Sequence, residues 1–195
     1  MEQDADRERR LGITKAIEIV DQVDDSALVG LSVVYALSKF SPVSVVLKEG
    51  LTVLNRLYAK IISDMSLPEG ITWMELMDLV SAIRLGSRGL NTFKKCEEYF
   101  PERLSQYFMS GLPKDSDEYR DLEASFRSVS LGTNCLVPHF YDLAIFWVEW
   151  GKYPILSRIR KWWNDLPVHF EISPVGVALS NAYIHSKDPS IPCLY

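Results

Sequence analysis

The fold turns on Asp21–Leu47, DQVDDSALVGLSVVYALSKFSPVSVVL. Three carboxylates, Asp21, Asp24 and Asp25, lead into an apolar run whose one charge is Lys39. A membrane anchor, a metal or acid–base site and a capped core helix all begin this way. Ser26–Leu47 is 22 residues long, close to the roughly 20 that span a bilayer. Its second half, however, holds Ser38, Lys39, Ser41, Pro42 and Ser44. A lysine near the bilayer centre costs about 2.5–3.5 kcal/mol. The uninterrupted apolar part is therefore too short to span.

Ala27–Phe40 is apolar on nearly every side, which predicts a central helix with neighbours all round. Ser41-Pro42 ends it, because the residue before proline avoids the α region. Leu31 and Val34 should then be buried. Asp24, Asp25 or Ser26 supplies the cap, and carboxylates there gain about 0.3–1 kcal/mol each from the helix dipole. A hard cation would accept oxygen ligands of this kind, but it needs a second cluster to complete its shell. The alternative of an enzyme with a metal or acid site near Asp21, Asp24 and Asp25 rests on that missing half.

The flanks read as more helix. Ile13, Ala16, Ile17, Val20 and Val23 share one face of a helix over 12–23. A third helix runs from about Val45 to Ile62, and SLPEG (Ser66–Gly70) is a loop. Thr72 and Glu75 have capping-box spacing and open a helix to about Leu85, ended by Gly86 and Gly89. Short helices follow over 90–100 and from Pro101 to Phe108, then a loop at 110–116 and a helix capped by Asp115 or Ser116.

Late in the chain, Tyr141–Trp150 reads as an aromatic helix and Leu156–Pro167 as an amphipathic one. HFEI (His169–Ile172) alternates like a short strand, and Ser173-Pro174 is an N-cap followed by an N1 proline. The expected fold is therefore mainly α. It is an orthogonal assembly of seven to nine helices with at most a small late strand or hairpin. One domain covers 11–195, with a sub-boundary near 110–116, and residues 1–10 form a charged, flexible N-terminus.

Composition excludes several functions. A chain of 195 residues with net charge −5 and a pI near 5.3 lacks the basic excess of a dedicated nucleic-acid binder. Cys96, Cys135 and Cys193 form no CxxC pair, and three scattered cysteines fit a reducing compartment. The first ten residues mix four acids with three bases and lack an apolar core, so no secretory signal is read and the cytoplasm is expected. His139, His169 and His185 show no HExxH spacing, and Gly86 with Gly89 makes no phosphate loop. No cofactor is expected.

Two clusters remain as candidate sites. Tyr141, Phe146, Trp147, Trp150, Tyr153, Trp162 and Trp163 concentrate aromatic surface, and such residues are enriched in interface cores. They form either an interaction patch or the core of the C-terminal half. Arg158, Arg160 and Lys161 beside the Trp162–Trp163 pair could contact nucleic acid in a winged-helix-like arrangement. The favoured reading is a non-enzymatic module that binds a protein partner or a second copy of itself.

Five segments carry a resemblance: IVDQVDDSALVGLSVVYAL, KEGLTVLNRLYAKII, LPEGITWMELMDLVSAIRL, GLPKDSDEYRDLE and WWNDLPVHFEISPVGVALSNA. In this order they resemble an uncharacterised bacterial protein family. The resemblance implies further N-terminal sequence in relatives, which would make this chain a C-terminal domain. It implies no activity, cofactor or catalytic residue. The SPVG ending is also similar to the LTPxG ending of helical proteins linked to abortive infection and phage defence, an analogy at the level of fold.

Overall fold

A computed structural model describes residues 2–44, 46–63, 65–86, 95–107, 143–191 and 193. Eight α-helices and one two-stranded sheet lie among them. The helices are α1 (Glu2–Ile19), α2 (Asp25–Lys39), α3 (Leu47–Ile62), α4 (Thr72–Leu79), α5 (Cys96–Arg103), α6 (Leu143–Gly151), α7 (Pro154–Asp165) and α8 (Pro174–Lys187). The strands are β1 (Ile83–Leu85) and β2 (Phe170–Ile172). The protein is mainly α, as its periodicity predicts. The loop and helix expected at 110–129, and the sub-boundary there, lie outside the described residues.

The opening stretch is a core helix. Asp24 is the N-cap of α2, accepting from the Ser26 and Ala27 amides at 3.0 and 3.3 Å and from the Ser26 hydroxyl. These bonds give acceptors to two of the N–H groups that a helix start leaves unpaired. Leu31, Val33, Tyr35 and Ala36 are wholly buried, and Val34 packs against the same core. A helix of this kind needs neighbours on all sides, and α3, α4 and α8 provide them. Among the described residues no helix is long and apolar enough to cross a membrane.

Helix α8 is the hub. It packs along α1 and α2 and touches α3. Ser173 caps it, its Oγ accepting from the Val175 and Gly176 amides at 3.1 and 3.2 Å. The same hydroxyl donates to the Ser81 carbonyl at 2.6 Å, and the Ser173 amide donates to the Ala82 carbonyl at 3.1 Å. One residue thus joins the start of α8, the end of β2 and the turn before β1. Gly176 makes the approach sterically feasible, since a β-carbon there would overlap the Ala82 carbonyl oxygen. Gly12 of α1 does the same against Pro174, where a β-carbon would come within 2.8 Å of the backbone. Deeper in, the Tyr35 hydroxyl donates to Asn181 Oδ1 at 3.3 Å across the α2–α8 contact.

Three boundaries differ from the sequence reading. The charged segment 1–10, expected to be flexible and outside the domain, supplies at residues 2–10 the first turns of α1. Arg10 and Asp6 pair there at helical spacing, 3.6 Å apart. The helix expected to run to Leu85 stops at Leu79, and Thr72 forms no cap. Ser81 takes a positive φ of 63°, and Ile83–Leu85 become a strand antiparallel to β2, with Arg84 opposite Glu171. Finally, Pro101 begins no new helix. It sits inside α5, where it donates no bond back to the preceding turn, and the helix ends two residues later.

At its far end α8 is closed by Asp188. Its carboxylate accepts from Lys60 Nζ of α3 at 2.6 Å and from the Ser190 hydroxyl at 2.7 Å. Chiefly through the Lys60 bond, then through Ser190, its pKa falls to about 2. A depressed carboxyl stabilises the fold above its unfolded pKa near 4, and that stability is lost as pH falls toward the folded value.

Two predictions follow from this packing. Gly176→Ala should cost about 1–3 kcal/mol by overpacking, read as a lower urea midpoint at unchanged slope; an unchanged midpoint would show that the Ala82 contact is not tight. The stability gap between the wild type and Asp188→Asn should be present at neutral pH and shrink between about pH 4 and pH 2. A gap that stays constant down to pH 2 would place the Lys60–Asp188 pair outside the stability of the fold.

Candidate functional site

Each candidate group is positioned by the helices around it. The aromatic set falls on α6 and α7. On α6, Phe146, Trp147 and Trp150 recur at helical spacing and turn inward, where Phe146 and Trp150 are wholly buried. On α7, Trp162 and Trp163 are buried and Tyr153 precedes the helix, half-buried. The Phe100 ring of α5 lies tilted 4.6 Å from Trp150, and the Tyr99 ring tilted 5.0 Å from Trp163. Trp73 of α4 lies 6.1 Å from Trp162. Tyr141 is outside the described residues.

Of the two readings of these aromatics, the described ones fit the core: Phe146, Trp150, Trp162 and Trp163 are buried in it, and Trp147 and Tyr153 pack against it. The physical reason is that their polar atoms find partners inside. Trp150 Nε1 donates to the Leu156 carbonyl at 2.9 Å, and Trp162 Nε1 to the Pro68 carbonyl at 2.7 Å. The Tyr153 hydroxyl reaches Thr52 Oγ1 and the Lys48 carbonyl, both at 3.0 Å. A ring whose donor is satisfied can be buried at little polar cost.

The basic triplet is divided. Arg160 lies 4.2 Å over the Trp147 ring, and its Nε donates to Glu97 Oε1 at 2.9 Å. Arg158 turns the other way and donates to the Met65 carbonyl at 3.2 Å. Lys161 joins Arg158 in a groove of about 460 Å³ that also contains Glu69 and Asp165. Two cations facing two carboxylates make no electropositive track for a phosphate backbone. The sheet is not a wing either, because its strands come from positions 83–85 and 170–172. The contiguous basic face required by the nucleic-acid reading is thus absent from the described residues.

Arg160 belongs instead to a clasp between α5 and α7. Asn164 Oδ1 accepts from the Cys96 amide at 2.9 Å and so caps α5 from another helix. In return Lys95 Nζ donates to the Asn164 carbonyl at 2.5 Å, at the C-terminal end of α7. Asn164 Nδ2 also donates to Glu97 at 3.2 Å. Burial pushes the Glu97 carboxyl up, but the bonds from Arg160 and Asn164 outweigh it and leave the pKa below the ordinary value. Burial pushes the Cys96 thiol well up, so at neutral pH it is protonated and a poor nucleophile.

The acidic candidates lie at the starts of helical turns. The Asp24 pKa is lowered mainly by the Ser26 hydroxyl, in keeping with the cap. Asp25 lies in the first turn of α2, and Asp21 in a short 3-10 turn. Among the described residues no group of three His, Cys, Asp or Glu side chains is placed to hold a metal ion. His185 Nδ1 sits 3.1 Å from the Ile191 carbonyl, and the His169 carbonyl accepts from Gly86 in the strand pair. His139 and Cys135 lie outside the described residues.

What the residue-by-residue reading misses is the other side of α6. Ile145 and Val148, 45% and 65% exposed, point away from the core, whereas the 47% exposed Leu143 shares the side of Phe146, Trp147 and Trp150 at the start of the helix. The signal lies in the sequence LAIFWVEWG, whose one charge is Glu149. A helix that is apolar all round has no solvent face to offer. Comparison with protein-family models, curated proteins and solved structures finds no match to the chain.

The clasp can be tested through its central residue. Asn164→Ala should cost about 0.5–2 kcal/mol, the value of a lost cap. Lys161→Ala on the same helix should stay within about 0.5 kcal/mol, as exposed positions do. Equal midpoints for the two variants in chemical denaturation would remove the clasp from the account.

Proposed function

We propose that this chain is a non-enzymatic helical interaction module that docks a protein partner or a second copy through the outward face of α6. The exposure of Ile145 and Val148, three residues apart and so adjacent on the outward side of an otherwise apolar helix, carries this reading. Contiguous exposed apolar surface marks contact sites on soluble proteins, while scattered single residues do not. The inward face of the same helix is locked into the core by Phe146 and Trp150. The outward residues are therefore held on a rigid support, which lowers the entropy lost on docking.

Two exposed apolar side chains make a small patch. A stable interface buries about 800 Å² per partner, so association through this face alone should be weak and concentration-dependent. A role in a bacterial defence or stress system rests on the similarity of the SPVG ending to LTPxG endings. The structure of that ending, a capped helix start with a close glycine, is a folding device and leaves the biological setting to the resemblance.

Light scattering after size exclusion tests the proposal. The apparent mass should rise above the 22.3 kDa monomer as concentration approaches millimolar. Val148→Asp should abolish the rise while leaving the far-UV spectrum and melting temperature unchanged, since Val148 is not part of the core. A monomer mass at every concentration would sink self-association. If Val148→Asp associates like the wild type, the α6 face is the wrong surface.

A further inference from the structure

We draw no further inference here: the strongest candidate, the groove of about 740 Å³ between the middle of α1 and the β1–β2 pair, sets Glu8 and Glu171 beside Lys15 and Arg84, and nothing in the structure shows what fills it.

Discussion

The structure depends on how Ser173 is bonded. Its hydroxyl accepts two amides of α8 and donates to Ser81, while its own amide reaches Ala82. This joins segments 92 residues apart in sequence. Loop closure over that length is an entropic cost that the bonds and the packing around them must offset. Ser173 is itself buried, so each of its polar groups needs a partner. Because Gly176 has no side chain, the Ala82 carbonyl can lie against the first turn of α8. The Ser-Pro-x-Gly order meets three requirements in sequence: a cap, a helix-ready φ and, one residue further on, close approach.

With α8 fixed at that end, the remaining helices arrange around it. Its other end is held to α3 through Lys60 and Asp188, and to the Ile61 carbonyl by the Tyr183 hydroxyl. Helix α2 takes the most buried place, with Tyr35 and Asn181 pairing in the interior. The aromatic layer of α5, α6 and α7 forms the second half of the same core. Its polar rim is the exposed Glu97–Arg160 pair, which alone contributes about 0–1 kcal/mol. Burial of Phe100, Phe146 and Trp150 contributes more, at about 1.5–3 kcal/mol for each fully buried large apolar side chain. The clasp sets which helices meet, and the rings hold them there.

What the sequence makes legible is what depends on near neighbours. The Asp24 cap, the all-round apolar α2 and the Ser173-Pro174 helix start are each set within a few residues, and all are present. Strand β1 is different. Ile83–Leu85 continues a helical pattern locally and becomes a strand because Phe170–Ile172 pairs with it from far along the chain. The same holds for function. A run of arginine and lysine beside two tryptophans is contiguous in sequence, yet Arg158 and Arg160 stand two apart on α7 and point to opposite sides, and the partner that holds Arg160, Glu97, comes from another helix. Aromatic content locates α6 but does not tell its two faces apart; burial does.

The same inward locking that removes Trp150 and Trp163 from the surface leaves Val148 on it. The proposed docking face is thus a consequence of how the core closes, and the core closes on α8. The most direct test of this account is Ser173→Ala. It should lower unfolding free energy by about 1–3 kcal/mol and speed hydrogen exchange at both the Val175–Gly176 amides and the Gly86 amide across the strand pair. A variant with the wild-type midpoint, or one in which only the first turn of α8 frays while the strand pair stays protected, would contradict it.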